Sequence, residues 1–339
     1  MSSAELTFSY LPAERWEEWD VFVNRSPQGT IFQSSRFIRC VTDTFHRPAK
    51  TAVVFRQDSI LGGCVLYPLQ RVGLRYSTTP YFIPYNGLLL DPFSESPFYF
   101  KRNSRQNRVS ELLLKNIEKD YAFCQFRQSP NLEDLRHFIW RKWKVQPEYS
   151  VVLRLDGNRN LLDSMENAQR RRFRQIESRG CRVEPTDQAD LIFRQMSGSY
   201  QSHGMKPPLE RDVFERFVKN LLDNQIATIY AAELDKRIAA TLLVVEDRPD
   251  LYALFSGRDF ETDSSGTELF LIWKVAEMYA GQNYRKMDLL GAMIPSITKV
   301  KLEMGGQLQR SDVTLFFRNQ FYRAMFDGFS ALQQKRRFL

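Results

Sequence analysis

The sequence predicts an α/β protein in which mixed sheets with flanking helices form two tandem domains, residues 1–150 and 151–339. The chain has 339 residues, of which 43% are hydrophobic, and this is enough for a core in each of two halves. Segments with apolar residues at helical spacing alternate with short apolar runs that are typical of strands. Both halves also show the same order of elements, which indicates an internal duplication.

The duplication is clearest in a hairpin that occurs once in each half. Thr51 to Phe55 and Ile60 to Leu69 are predicted strands, joined by the polar turn 56–59. The segment 229–240 repeats this pattern, with a strand, a polar turn and then Ile238 followed by two small residues. The offset between the two copies is 178 positions, the difference between 238 and 60.

The first half is predicted to begin with a strand and two helices. Trp16, Trp19 and Phe22 or Val23 recur at helical spacing after Pro12, so they are expected to face a core. Lys101 to Arg108 is polar and is predicted as a loop. The other elements predicted in this half are a strand at Leu6 to Tyr10, a helix through Phe37, Cys40 and Val41, a helix at Val109 to Tyr121, and a helix at Asn131 to Trp143.

The second half is predicted to begin with a strand at Tyr149 to Leu155. Its later elements follow from the same periodicities. Helices are predicted at Asp163 to Arg179, Leu191 to Tyr200, Glu210 to Leu222, Thr267 to Ala280 and Pro295 to Met304, and strands at Leu251 to Phe255 and Met287 to Leu290.

The composition limits the compartment and the chemistry. Cys40, Cys64, Cys124 and Cys181 lie far apart without a C-x-x-C pair, which predicts buried thiols and neither a disulfide framework nor a metal site. The chain shows no leader pattern, and its longest aliphatic run, 238–245, is too short to span a bilayer. The sequence therefore predicts a cytoplasmic protein. The net charge of +8 favours polyanionic partners such as RNA, nucleotide-linked precursors or an anionic membrane surface, unless the charge is only solvated surface.

A basic helix is the first candidate binding element. Helix 163–179 carries Arg170, Arg171, Arg172 and Arg174, and the helical period puts Arg170 and Arg174 on one shoulder. Like charges four residues apart repel each other, and an anionic partner would relieve this repulsion. The alternative is a solvated basic face.

Lys301 is the main candidate for chemistry. In the predicted helix 295–304 it lies at the edge of the apolar stripe formed by Ile297, Val300 and Met304, whereas Lys299 points nearly the opposite way. A partly buried ammonium needs an anion, which is either a structural carboxylate or a substrate oxyanion.

Other candidates are weaker. His203 lies in a loop bounded by glycine and proline, where catalytic groups are often displayed, although a structural role is open. Tyr81 and Tyr85 lie in a proline-rich stretch and either line a cleft or pack as aromatics with one polar end. The loop 256–266 enters a helix, as phosphate-binding loops do, but its three acidic residues oppose a phosphate.

Several segments resemble the FemAB-like branch of the GNAT acyltransferase superfamily. The best match is Asp288-Leu289-Leu290-Gly291-Ala292, followed by Pro295, Lys301 and Gly305-Gly306. Further matches are 29–34 (Gly-Thr-Ile-Phe-Gln-Ser), the arginine-rich helix before Gly180, and 60–63 (Ile-Leu-Gly-Gly). The resemblance covers most of the chain and implies two tandem GNAT-like domains.

The resemblance also implies an activity. Fem proteins transfer an amino acid from aminoacyl-tRNA to an amine on a peptidoglycan precursor, and other members resemble acyl-CoA-dependent N-acyltransferases. It therefore implies an acyl-CoA or an aminoacyl-tRNA as co-substrate, with no tightly bound cofactor. By position, the resemblance gives the oxyanion role to Lys301 and a phosphate contact to Arg170 and Arg174. For the mechanism, we further predict that Tyr252 lines the same cleft and that His203 is a candidate to accept the amine proton.

A non-catalytic alternative remains open at this stage. Val41 stands where Fem proteins have a lysine for the nucleotide-linked precursor, and 258–266 resembles the pyrophosphate loop of acetyltransferases only loosely. These two features favour a tandem-GNAT scaffold that binds RNA or anionic envelope material through its basic surface.

Overall fold

The computed structural model describes residues 5–324, except 72, 157–160, 203, 205 and 262–265. The described residues divide into two compact units. The first contains the described parts of Met1–Ile38, His46–Pro147 and Ser311–Leu339, and the second contains those of Arg39–Phe45 and Glu148–Arg310. Each unit is therefore built from separate stretches of the chain.

The first half of the chain forms strands and helices in a mixed order. The strands are β1 (Leu6–Leu11), β2 (Lys50–Arg56), β3 (Ser59–Leu66), β4 (Pro68–Arg71), β5 (Leu74–Ser77), β6 (Leu89–Leu90), β7 (Phe123–Arg127) and β8 (Lys144–Arg154). The helices are α1 (Trp16–Arg25), α2 (Ser35–Phe45), α3 (Tyr99–Asp120) and α4 (Arg136–Trp140), with 3-10 turns at Ala13–Arg15 and Ile31–Gln33.

The second half continues with helices packed on a longer sheet. The helices are α5 (Asn167–Ser178), α6 (Ala189–Ser202), α7 (Arg211–Asp223), α8 (Thr267–Tyr279) and α9 (Pro295–Glu303), with a 3-10 turn at Leu161–Ser164. The strands are β9 (Arg182–Thr186), β10 (Ala227–Leu234), β11 (Arg237–Asp247), β12 (Asp250–Arg258), β13 (Lys286–Asp288) and β14 (Gln307–Phe317).

The sheets are mixed, as the sequence predicts. In the first unit one sheet has the order β1-β2-β3-β6, and further strands follow the order β4-β5-β7-β14. In the second unit the order is β8-β13-β12-β11-β10-β9. The pairs β5·β7 and β12·β13 are parallel, and the other pairs in these two units are antiparallel where their register is defined.

The two predicted hairpins share the same register. In the first, Phe55 pairs with Ile60 and Arg56 with Ser59, with a bulge after Val54. In the second, the partners are 233 with 238 and 234 with 237, with the bulge after 232. Every one of these positions is shifted by 178, so the offset found in the sequence is also an offset in backbone structure.

The core of the first unit lies between α3 and its sheets. Side chains from the strands, such as Ala52, Val54 and Leu66, pack with Leu113, Ile117 and other residues of α3. On the other side of the hairpin, Gly63 is required because an added Cβ would lie 2.7 Å from the Trp19 ring and from the Ala52 carbonyl oxygen. The predicted stripe of α1 is thus confirmed, since Trp19, Phe22 and Val23 are buried.

The core of the second unit lies under α5 and α8. Phe173 of α5 packs against Phe270 and Trp273 of α8, with ring centroids 5.7 and 5.5 Å apart. On the opposite side, Phe214 of α7 contacts Phe255 of β12 at 4.8 Å. Strands β11 and β12 are buried along most of their length, which explains their nearly continuous apolar runs.

Two predicted boundaries in the first half are wrong. The segment 101–108 is helical rather than a loop, because α3 begins at Tyr99. Its polar side chains are held by tertiary bonds, such as those from Arg102 to the Ser96 carbonyl and from Gln106 to the Asp91 carbonyl. Hydrophobic periodicity does not detect a helical turn stabilised in this way. The helix predicted at 131–143 is reduced to the five residues of α4.

Two predictions about buried thiols and membrane spans can be compared with the structure. All four cysteines are free, and Cys40, Cys64 and Cys124 are buried as predicted, whereas Cys181 is only partly buried. Within the described ranges, no helix combines the length and the apolar character needed to cross a bilayer.

Candidate functional site

The candidate site lies in the second unit, where two parallel strands separate. Asp250, Leu251 and Tyr252 of β12 pair with Lys286, Met287 and Asp288 of β13. β13 then ends, whereas β12 continues to Arg258 along β11. β12 therefore extends beyond its last register pair with β13, and a strand edge of this kind can bind another chain or a substrate carbonyl.

A bulge lies at the point of separation. Phe255 pairs with Leu243 and Ala253 with Val244, so Leu254 is an extra residue in β12. A bulge bends its strand and turns the following side chains to the other face. Consequently Ser256, two residues later, reaches α8 and donates a hydrogen bond to the Glu268 carboxylate at 2.6 Å.

After β13 the chain turns sharply and its carbonyl groups converge. Leu290 and Gly291 have φ angles of 52° and 41°, a left-handed conformation that is unfavourable for leucine. The Asp288 carboxylate stabilises this turn by accepting a hydrogen bond from the Leu290 N–H at 2.8 Å. Asp288 is fully buried and also accepts bonds from Ser150 and Gln309.

Lys301 of α9 occupies the centre of this turn. Its ammonium donates to the carbonyl oxygens of Leu289, Leu290 and Gly291, at 2.8, 2.6 and 3.1 Å. An ammonium has three N–H groups, so these bonds use its full donor capacity. In this structure Lys301 holds the 289–291 loop in place.

The environment of Lys301 changes its acidity. Burial lowers its pKa to about 8, and the carboxylates of Asp288 and Glu268 act in the opposite direction. At neutral pH the group is therefore mainly an ammonium, which donates hydrogen bonds and stabilises negative charge. It is not a base under these conditions.

The glycine pair of the signature positions Lys301. Gly305 has a φ of 86° and ends α9, and its N–H bonds the Leu302 carbonyl at 2.9 Å. A Cβ on Gly306 would lie 2.3 Å from the Val151 side chain and 2.6 Å from the Lys301 carbonyl oxygen. Close packing of the chain at this point therefore requires both glycines.

The arginines of α5 that the sequence singles out lie in different surroundings, and their binding role stays a prediction. Arg170 folds back and donates to the Met165 carbonyl at 3.1 Å, whereas Arg174 is exposed. Arg172 lies against the start of α8, because a Cβ on Gly266 would be 3.0 Å from its Cδ and 3.5 Å from its Nη1. The structure thus brings Arg172, rather than Arg170, to a helix N-terminus.

The predicted aromatic and histidine candidates lie in different environments. Tyr252 is only 3% exposed, so its side chain does not line an open surface here. Tyr85 is also buried and packs near Phe32, whereas Tyr81 is 60% exposed. His203 lies outside the described residues. The substrate-binding roles of these residues stay predictions.

The Gly-Thr-Ile-Phe-Gln-Ser segment has a structural role in the first unit. Gln33 is buried, donates to the Gly87 carbonyl at 2.8 Å, and accepts the Trp19 indole N–H on its own carbonyl at 2.7 Å. Ser34 caps α2 by accepting a bond from the Phe37 N–H. The polar side chains of this segment are therefore used in hydrogen bonds within the first unit, which gives the segment a structural role.

A surface cavity lies on the outer side of α9. Its volume is about 460 Å³, and its lining combines apolar side chains with two carboxylates. The lining residues are Glu166, Ala292, Met293, Pro295, Thr298, Lys299, Leu302 and Glu303. The loop that Lys301 holds thus continues into the wall of this cavity.

The sequence does not predict Glu268 or Ser256 as site residues, because neither lies in a recognisable motif. The sequence does show that Glu268 is an acidic residue in the first turn of a predicted helix that follows a strand. Its contact with Ser256, however, depends on the bulge at Leu254. No group of three or more His, Cys, Asp or Glu residues suited to a metal ion occurs in the part of the chain that the structure describes.

Part of the chain that contains the separating strands matches a known protein family. Residues 164–294 match the family model described as an acetyltransferase (GNAT) domain. The match includes the separating strands β12 and β13 together with α5 and α8. No curated protein sequence matched the chain.

Solved structures similar to this chain have the same arrangement over most of its length. The crystal structure of FemX is 13% identical with a TM-score of 0.68, and the alignment covers 90% of this chain and 96% of that chain. A tandem GNAT protein from the clavulanic acid biosynthesis pathway is 12% identical with a TM-score of 0.53, covering 93% and 99%. The C-terminal domain of a putative lysylphosphatidylglycerol synthetase from Agrobacterium fabrum is 11% identical with a TM-score of 0.53, covering 91% and 92%.

The fold is that of a tandem GNAT protein with mixed α/β domains, as the sequence predicts. More particularly, residues 164–294 match the GNAT acetyltransferase domain model, and 90% of the chain aligns in fold with FemX.

Proposed function

We propose that the protein transfers an acyl or aminoacyl group from an activated donor to an amine on a cell-envelope or peptidoglycan precursor in the cytoplasm. The observation that carries this proposal is the separation of β12 from β13 within the GNAT domain, next to Lys301 and Glu268. The envelope assignment rests on FemX and on the lysylphosphatidylglycerol synthetase domain as structural neighbours.

The end of β13 beside β12 supports a place for the reacting carbonyl. Because β12 extends beyond its last pair with β13, we propose that backbone N–H groups along this edge donate to the carbonyl oxygen of an ester or thioester, as they would to a neighbouring strand. The acceptor amine attacks this carbonyl, and a tetrahedral oxyanion forms. When the intermediate collapses, the C–N bond remains, the C–O or C–S bond breaks, and a proton passes from nitrogen to the leaving group.

Lys301 is proposed to stabilise the oxyanion. Of the three hydrogen bonds that the Lys301 ammonium donates, the one to the Gly291 carbonyl is the longest, at 3.1 Å. This bond lies on the exposed side of the loop. If this carbonyl is displaced, one N–H becomes available to the substrate oxygen, while the other two bonds keep the ammonium in place.

Glu268 and His203 are the two proposed acceptors of the amine proton. Glu268 has a fixed position through its bond to Ser256, and its charge acts on Lys301. Carboxylates and histidines both serve as general bases when they lie within hydrogen-bond distance of the proton. Substitution of Glu268 by Gln is expected to lower turnover more than donor binding if this role is correct.

The donor is proposed to carry phosphate, as acyl-CoA and aminoacyl-tRNA both do. The N-terminus of α8, where backbone N–H groups carry partial positive charge, and the nearby Arg172 favour an anion. GNAT enzymes use acyl-CoA, whereas the resemblance to FemX favours aminoacyl-tRNA, and both remain part of the proposal.

The deciding experiment compares thermal stabilisation by acetyl-CoA, longer acyl-CoAs and charged tRNA. A ligand at about 100 times its Kd stabilises the folded state by roughly 2.7 kcal/mol, which gives a clear rise in Tm. Stabilisation by one donor class, followed by transfer to an amine in the presence of that donor, supports the proposal. If no donor raises Tm, the proposal is wrong.

A second candidate function is binding without catalysis, as a scaffold for RNA or anionic envelope material. It is favoured by the full use of the Lys301 donors and by the burial of Tyr252. In the same experiment the scaffold predicts stabilisation by tRNA whether it is charged or not, with no transfer to any amine.

A further inference from the structure

The first unit exposes a group of large apolar side chains that the proposed function does not use. Phe98, Tyr99, Phe100, Ile139 and Trp140 are exposed to 59%, 69%, 80%, 57% and 62%. We call these five residues the aromatic patch. Single exposed apolar residues are common, but several together mark an interaction surface.

Contacts between α3 and α4 bring the two parts of the patch close to each other. Tyr99 and Asn103 lie one turn apart on α3, so they share a face. Arg136 donates to the Asn103 side-chain oxygen at 3.0 Å, and its guanidinium lies 5.3 Å from the centre of the Trp140 ring. The start of α3 and the end of α4 are thereby joined through one arginine.

The two segments that carry the patch have a positive net charge, although Arg105, Arg136 and Arg141 are in ion pairs. Segments 95–108 and 133–142 together contain seven Lys or Arg residues and three Asp or Glu residues. Their net charge of +4 is half of the +8 of the chain, although they make up only 24 of its 339 residues. Lys101 lies directly among the aromatics, with its ammonium 4.9 Å from the centre of the Phe98 ring.

We propose that the aromatic patch docks on the surface of an anionic lipid bilayer. Aromatic side chains with lysine and arginine around them are typical of surfaces that bind the membrane interface, where the rings enter the headgroup region and the cations meet anionic lipids. A protein partner is less well matched, because the centres of protein interfaces are depleted of lysine. The proposal concerns the first unit alone and does not depend on acyl transfer.

The test is vesicle binding by the full-length protein. Vesicles of phosphatidylcholine alone are compared with vesicles containing about one third phosphatidylglycerol, in a sedimentation assay. We expect binding only to the anionic vesicles and a strong decrease at high salt, since surface attraction is screened. Trp140 is the most exposed of the five tryptophans, so its fluorescence should shift to shorter wavelength on binding and this shift should be absent in Trp140→Phe.

Matched variants distinguish vesicle binding through the aromatic patch from non-specific binding through other exposed apolar side chains. The double variant Phe100→Ser and Trp140→Ser should reduce vesicle affinity by about tenfold or more, because it removes two inserted rings. Lys101→Glu should also reduce it. The control double variant Val21→Ser and Phe321→Ser changes two side chains that are exposed to 64% and 68% elsewhere and should bind as the wild type does.

Three results would overturn the proposal. The first is an absence of binding to anionic vesicles at low salt. The second is an equal loss of binding in the patch variant and the control. The third is a wild-type dimer in analytical ultracentrifugation that the patch variant converts to a monomer, because the patch would then be covered by a second copy. Circular dichroism of each variant verifies that it is folded.

Discussion

Lys301 illustrates how one buried cation can fix a strained loop. Leu290 and Gly291 adopt left-handed backbone angles, and their carbonyl groups converge on a single ammonium. Burial lowers the pKa of Lys301 to about 8, which means that the protein interior destabilises the charged form of this side chain. The loop nevertheless depends on it, because removing one partner leaves the other polar groups unpaired.

The first prediction is that Lys301→Met destabilises the second unit by about 2 kcal/mol, since the carbonyl groups of 289–291 lose a charged donor. The matched control is Lys299→Met on the same helix. The Lys299 side chain is 76% exposed and lies 3.9 Å from Glu303, so its loss should change stability by less than about 0.5 kcal/mol. Chemical denaturation of the two variants provides the measurement, and equal midpoints would contradict the structural role.

The second prediction concerns His137, which is 3% exposed and has no hydrogen-bond partner on either ring nitrogen among the described residues. Burial lowers its pKa to about 4, below the usual value near 6.5. Between these two values the unfolded chain binds a proton that the folded protein does not. The stability contributed by His137 is therefore complete above pH 6.5 and is lost as the pH falls toward 4.

At pH 5 this effect amounts to about 2 kcal/mol relative to pH 7. His137→Leu removes the titrating group, so its urea midpoint should fall less between pH 7 and pH 5 than that of the wild type. If both proteins lose the same stability over this range, His137 is not buried in its neutral form.

At the scale of elements, packing decides which arginine of α5 meets a possible ligand. The helical period alone places Arg170 and Arg174 on one shoulder. Phe173 packs between Phe270 and Trp273, and this contact orients α5 on α8 so that Arg172 approaches Gly266. The helical period gives the relative directions of the side chains on a helix, but it does not show which neighbouring element each side chain contacts.

The third prediction is that Arg172→Gln weakens donor binding by several-fold, since one charge-assisted contact to phosphate is lost. The stabilisation of the folded protein by whichever donor raises Tm provides the measurement. Arg182→Gln is the control, because Arg182 is a similarly exposed arginine of the same unit that pairs with Glu233. A loss confined to the Arg172 variant supports the phosphate role, and unchanged donor binding in that variant contradicts it.

At the scale of the whole molecule, each compact unit uses distant parts of the chain. The second unit includes 39–45, where Phe45 packs 5.4 Å from Phe217 and Thr44 accepts a bond from Asn220. The first unit includes the end of β14, which pairs with β7 from Val313 to Phe317. A simple division of the chain near residue 150 therefore does not describe either unit completely.

The fourth prediction is that fragments 1–147 and 148–339 do not fold when they are expressed separately. The first fragment lacks the strand that pairs with β7, which leaves a sheet edge exposed, and the cut also divides β8. Co-expression should restore a soluble complex. Cooperative thermal unfolding of fragment 1–147 alone, measured by circular dichroism, would show that these long-range contacts are dispensable.

The sequence by itself determined the α/β class, the paired hairpins and the positions of most helices. These features depend on local periodicity and turn chemistry, which each segment carries within itself. The offset of 178 positions is a further local signal, since it compares two segments without needing their environment.

Only the tertiary structure decided the chemistry of the site. The bulge at Leu254, the convergence of three carbonyl groups on Lys301 and the approach of Glu268 to Ser256 all join residues of different elements. The helical start of α3 also depends on contacts with Ser96 and Asp91, so its polar sequence gives no periodic signal. Contacts between distant segments are fixed by how the elements pack, and one sequence does not carry that information locally.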